Sequence, residues 1–141
     1  MINLILVLAL VSSIFMAISI GASAVPPAFG PVRSSGITGI LKSVLIAGIA
    51  ASIGAFLQGG NVTNTIGSGI VSGGLMEIQA LTILLVAAAL VIIGVIFKFP
   101  LPPAFPLVGA VVGAGLSYGN AIQLGSLGSV VSYWIVITFV A

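Results

Sequence analysis

A helical integral membrane protein is the fold class this sequence predicts, and three observations predict it. Hydrophobic residues make up 60% of the chain and charged residues 3%, with a mean hydropathy of +1.46; soluble domains carry about 25% charge. The apolar residues come in runs long enough to cross about 30 Å of hydrocarbon. Glycine stands at 19 of 141 positions, and small residues let membrane helices approach closely. The runs predict about four transmembrane helices plus one re-entrant half-helix, all within a single membrane domain, residues 1–141.

The first expected span is residues 2–20, a stretch without a charge. No basic residue precedes it, so it reads as a helix and not as a cleaved leader, although Ala22-Ser23-Ala24 has the small-x-small form of a cleavage site. Residues 21–30, GASAVPPAFG, should then interrupt the helix. Proline has no amide hydrogen and its ring clashes with the preceding turn. A polar stretch follows, with Ser34, Ser35 and Thr38 between Arg33 and Lys42. Residues 43–57 form a short second span, and 58–74, rich in Gly, Asn, Ser and Thr, reads as a loop holding one short helical piece, with Ile66, Ile70 and Val71 as apolar anchors.

The aliphatic run 75–97 is the third span, opening near Glu77 and Gln79 and closing on Lys98. The second interruption, 99–106, repeats Pro-Pro-Ala-Phe. Pro106 suits the first turn of a new helix, and 107–116 is too short to span, hence the re-entrant half-helix. A polar turn over 117–128 leads to a last span at 129–141, where Tyr133 and Trp134 suit a membrane interface.

Charge and composition narrow the chemistry. Glu77 is the only acid, and there is no cysteine or histidine, so thiol, imidazole and paired-carboxylate catalysis and the usual metal ligand sets are not expected. We expect no enzyme, no metal site, no cofactor and no nucleic-acid partner; the bilayer is the expected surrounding. Arg33, Lys42 and Lys98 fall on one side of the predicted spans. The positive-inside rule puts that side in the cytoplasm and the N-terminus outside.

The two interruptions and the polar loop together resemble a known family. GASAVPPAFGPVRSSG, SIGAFLQGGNVTNTIGSGIV, FPLPPAFPLVGAVVGAGLSYG and SYWIVITFVA resemble, in order and spacing, the first half of the inorganic phosphate transporter family. Family members typically carry G-A-N-D-x-x-N-x-x-G at the first break and L-P-V-S-T-T-H-A-I-V-G-A at the second. The resemblance implies one repeat of an inverted-repeat transporter fold, cation-coupled through sodium or protons, with its site completed by a homo-oligomer or a complementary membrane subunit. The signature motifs are degenerate here: Ser23, Ala24 and Pro27 stand where the first motif has Asn, Asp and Asn. Pro102, Pro103, Ala104 and Phe105 replace the Ser-Thr-Thr-His run. Some archaeal members look similar in this respect.

Two functional expectations follow. In the first, an inorganic anion of the phosphate type sits between broken-helix ends, held by Ser23, Ser34, Ser35, the backbone at Gly30 and Gly109, and the charge of Arg33, with Glu77 as the coupling group. Lys42 and Lys98 are then interfacial anchors whose ammonium groups snorkel. In the second, the apolar replacements make the chain a structural or accessory subunit of a larger membrane complex, its former site a dry core around Phe29 and Phe105.

Overall fold

The computed structural model describes residues 2–99 and 101–140. Helices α1 (Ile2–Ser34), α2 (Ile40–Asn64), α3 (Glu77–Ile96), α4 (Ala104–Ser117) and α5 (Leu124–Val140) follow in order, and a π-helical turn, Thr65–Gly69, prolongs α2. The first three are long and apolar enough to cross a membrane, whereas α4 and α5 are shorter apolar helices. The chain is a multi-pass membrane protein, with three long spans and two short helices where about four spans and a half-helix were expected.

The expected break at 21–30 does not occur. Helix α1 runs through Pro26, Pro27 and Pro31 without ending. Proline fixes φ near the helical value, so it removes hydrogen bonds without forbidding the helical path. In a membrane, leaving the helix would orphan still more backbone groups. At 33 residues and 1.5 Å each, α1 is about 50 Å long.

The loop expected over 58–74 is also mostly helical, as far as Gly69. Its hydroxyls fold back on their own helix, with Thr63 Oγ1 donating to Gly59 O (2.9 Å), Thr65 Oγ1 to Asn61 O (3.0 Å) and Ser68 Oγ to Asn64 O (2.9 Å). A polar sequence whose side chains are satisfied this way need not leave the helix. Irregular backbone comes only afterwards, where Gly73 and Gly74 take φ of 88° and 76°. The anchors behave as expected: Ile70 and Val71 are buried, with Ile66 packed against them.

The second interruption is real, although its Pro100 lies outside the described residues. Helix α3 closes on a left-handed cap: Lys98 has φ 57°, its N–H donates to Val95 O (3.1 Å), and the Phe99 N–H donates to Gly94 O (2.9 Å). The chain then folds back tightly on Gly94, where a Cβ would lie 2.9 Å from Leu101 Cδ1 and 3.3 Å from Phe99 O. Helix α4 ends by the same device. Gly119 (φ 73°) donates to Leu116 O at 3.2 Å, Asn120 donates to Gly115 O at 2.9 Å, and Ile122 folds back on Gly115.

The core is the seam between α1 and α3, the most extensive helix contact. On α1 the buried residues Ser12, Met16 and Ser19 recur at helical spacing, and α3 answers with Ala87 and Ala88, while Ile83 joins Ile70, Val71 and Val111 in a second cluster. Ser12 Oγ and Ser19 Oγ each donate to the carbonyl four residues back, Leu8 O and Phe15 O, at 2.7 Å. The seam thus contains small side chains with no unsatisfied hydroxyl, which permits close approach in an apolar medium. Gln79 is buried because it closes its own helix: its Oε1 accepts the Met76 N–H at 2.9 Å.

Met16 packs against Ala87 and Ala88, and Ser23 to Pro27 face Val91 to Lys98, so α1 and α3 are parallel. Helix α4 returns along α3, with Leu107 and Ala110 on the same cluster. Helix α5 returns beside the start of α4, where the Phe105 and Trp134 rings meet at 4.3 Å between centroids and 59° between planes. At the far end, residues 70–72 pair with 121–123 through Ser72 N–H to Ala121 O (2.9 Å) and Gln123 N–H to Ile70 O (2.8 Å).

Candidate anion site at the cation-bearing end

Parallel α1 and α3, with α2 between them in sequence, bring the end of α1, the start of α2 and the end of α3 to one end of the molecule. Arg33, Lys42 and Lys98 therefore share that end. Glu77 is the first residue of α3, at the opposite end, about 30 Å away along the axis. There its carboxylate complements the positive end of the helix dipole. The structure does not bring Glu77 together with any of the other expected site residues.

Those residues divide among three cavities. Gly30 and Arg33 line one of about 270 Å³ between α1 and α2, with Phe29, Ile40 and Ser43. Ser43 is buried there, its hydroxyl 3.1 Å from Thr38 Oγ1 and donating to Gly39 O at 3.3 Å. Ser23 lines a second cavity of about 240 Å³ between α1 and α3, shared with Pro26, Pro27, Val95 and Lys98. Gly109 lines a third, of about 460 Å³, between α3 and α4, with Thr82 and Tyr118. Ser34 and Ser35 are exposed, and their hydroxyls donate to Pro31 O (2.9 Å) and Val32 O (2.7 Å), closing the end of α1.

Helix-terminus amides, expected at Gly30 and Gly109, are not available at either place. Gly30 lies inside α1 and Gly109 inside α4, so both N–H groups belong to helix ladders. What Gly30 gives the cavity is room, since a Cβ built there meets nothing within 4 Å. The start of α4 is also short of donors. Phe105 N–H is spent on Pro102 O at 3.1 Å, Leu107 N–H on Pro103 O at 3.3 Å, and Pro106 has none. Electrostatic attraction of an anion at this end rests on side-chain cations.

Lys98, expected as an interfacial anchor, is exposed and lines the same cavity as Ser23; its position directly before the proline-rich interruption, where the helix turns back toward its neighbour, puts it there.

The sequence pattern of the phosphate transporter family matches residues 6–141. The chain belongs to that family. Among relatives of the phosphate transporter family, the sulfate permease CysP of Bacillus subtilis is 31% identical over 94% of this chain and 38% of its own length. The chloroplastic inorganic phosphate transporter 2-1 of Arabidopsis thaliana is 30% identical over 86% of this chain and 22% of its own length. The chain spans between 22% and 38% of the length of such curated relatives. No solved structure matches it.

Proposed function

We propose that this chain forms part of a membrane path for a tetrahedral inorganic anion, phosphate or sulfate, with Arg33 as the charge that draws the anion in. The family match over 6–141 carries the reading, and the named relatives, one a sulfate permease and one a phosphate transporter, support that substrate class. The clustering of all three cations at one end supports a positively charged vestibule there, on the cytoplasmic side by the positive-inside rule. A second copy or a complementary membrane subunit completes the path, and α4 with α5 acts as a re-entrant hairpin within it. Coupling uses sodium or protons, with Glu77, at the far end, as the chain's carboxylate for that role.

The test is uptake of radiolabelled phosphate and sulfate into proteoliposomes. We expect Arg33→Ala to lower initial uptake by about tenfold, the worth of one charge contact, and Lys42→Ala, which lines none of the three cavities, to change it little. Equal small effects of both would remove Arg33 from the site. An accessory role is favoured by one observation, the packing of Phe105 on Trp134 where the family's polar run would stand. The native mass of the solubilised particle separates the readings: large unrelated subunits beside this chain would favour the accessory role, and copies of this chain alone, or with one similar half, would favour transport.

A further inference from the structure

Helices α1 and α2 meet at the cation-bearing end and then part. Among the described residues of α2 only Ser43 is buried, and the gap that opens between the two helices is the cavity of about 270 Å³. Val25, Phe29 and Arg33 recur at four-residue spacing and so share one face of α1; they give the gap an apolar wall that ends in a guanidinium. Ile40 and Val44, also four residues apart, form the wall on α2 and stay 55% and 50% exposed. The gap is therefore an open cleft. From Val25 to Arg33 it runs about 12 Å along the axis, and Gly30 keeps it clear, with nothing within 4 Å of a Cβ built there.

The two polar side chains of the cleft are unequally committed. The Ser43 hydroxyl donates to Gly39 O at 3.3 Å and lies 3.1 Å from Thr38 Oγ1, so it is satisfied beside its own helix start. Arg33 has five N–H donors in a planar fork, and no carboxylate side chain shares its end: Glu77, the chain's only acid, begins α3 at the other. A small free anion would meet one guanidinium and hydrocarbon walls that offer it no hydrogen bond. An amphiphile is matched at both ends, by the fork for a phosphate and by the walls for a hydrocarbon chain. Depth agrees. Helix α1 is about 50 Å long against about 30 Å of hydrocarbon, so Arg33, one residue from its end, stands at headgroup level with the cleft running inward.

We propose that the cleft between α1 and α2 holds one anionic phospholipid. Arg33 takes its phosphate, and an acyl chain lies between the Val25 and Phe29 wall and the Ile40 and Val44 wall. Charge complementarity selects the occupant, because this end carries Arg33, Lys42 and Lys98 and no acidic side chain, and basic pockets between membrane helices recognise lipid headgroups in this way. The lipid fills the gap and braces α2 against α1. The site shares Arg33 with the proposed anion path but does not depend on transport.

The whole chain in detergent is titrated with phosphatidylglycerol or with phosphatidylcholine of the same acyl chains, and the lipid retained per chain is counted by native mass spectrometry. We expect one phosphatidylglycerol per chain, bound about tenfold more tightly than phosphatidylcholine, the effect of one charge-assisted contact. Arg33→Ala should abolish that preference. Lys42→Ala, which removes the same charge from the same end but lines no cavity, should keep it. Gly30→Leu fills the cleft and leaves the guanidinium in place, and it should weaken phosphatidylglycerol about as much as Arg33→Ala; with open space at the Cβ and leucine the better helix former, this variant should fold. Equal retention of the two lipids, equal effects of Arg33→Ala and Lys42→Ala, or undiminished binding by Gly30→Leu overturns the proposal. Release of the lipid by millimolar inorganic phosphate would overturn it too, by marking the guanidinium as a small-anion site only. Lipid is counted here without any flux, so a failure leaves the uptake test of Arg33 as it stands, and a failed uptake test leaves the lipid count.

Discussion

The tetrapeptide Pro-Pro-Ala-Phe occurs twice, and the chain treats its two copies differently. At 26–29 it lies inside a continuous helix; at 102–105 it lies at the start of a new one. Two prolines in a row therefore do not by themselves decide whether a membrane helix ends. What decides is the backbone just upstream. Before Pro102 the helix has already been closed by the left-handed cap at Lys98 and the fold-back on Gly94, so Pro103 and Pro106 fall where missing N–H groups cost nothing. Before Pro26 there is no cap and no residue with positive φ, and the helix continues at the expense of its own hydrogen bonds. One copy redirects the chain, and the other lies within an unbroken helix that has lost some of its own hydrogen bonds.

Substitutions can break or sharpen this contrast. The largest effect should come from Gly94→Val, which puts branched carbon where even a Cβ is too close to Leu101 and the Phe99 carbonyl. We expect a loss of about 2–3 kcal/mol by overpacking, read as a lower melting temperature in detergent. Pro27→Ala should act in the opposite sense on the other copy, with a gain of up to about 3 kcal/mol from the restored helix bond; unchanged melting would mean that the proline's cost is already offset within α1. Gly119→Ala should cost about 1 kcal/mol, because alanine resists the left-handed cap. Lys98→Gly should gain up to about 1 kcal/mol from relief of the left-handed strain at the cap of α3; an unchanged melting temperature would mean that this strain is already offset within the cap.

Composition alone was enough to read the membrane class, and hydropathy placed α3 within two residues at each end and the starts of α1 and α2 within three, but ended α1 and α2 too early. The α1 break and the 58–74 loop are absent for the same physical reason. Proline and polar residues usually disfavour helices, but in this solvent a backbone that leaves the helix loses more than it gains. Serine and threonine then satisfy themselves on carbonyls of the preceding turn, as Thr63, Thr65 and Ser68 do. The sharing of one end by Arg33, Lys42 and Lys98 was legible, because it follows from the number of crossings. Which cation meets which cavity was not. The parallel packing of α1 on α3, which sets Lys98 and Ser23 on one cavity, depends on side-chain sizes at the seam and leaves no mark in the local pattern around either residue.

Trp134 is the only tryptophan in the chain, and it rests on Phe105 where α5 comes back to the start of α4. Excited at the red edge of its absorption, where Tyr118 and Tyr133 are silent, the unlabelled protein emits light from that one place. Any movement that parts the two helices changes the polarity around the indole and shifts its emission, so the molecule carries its own optical gauge of the contact between α4 and α5.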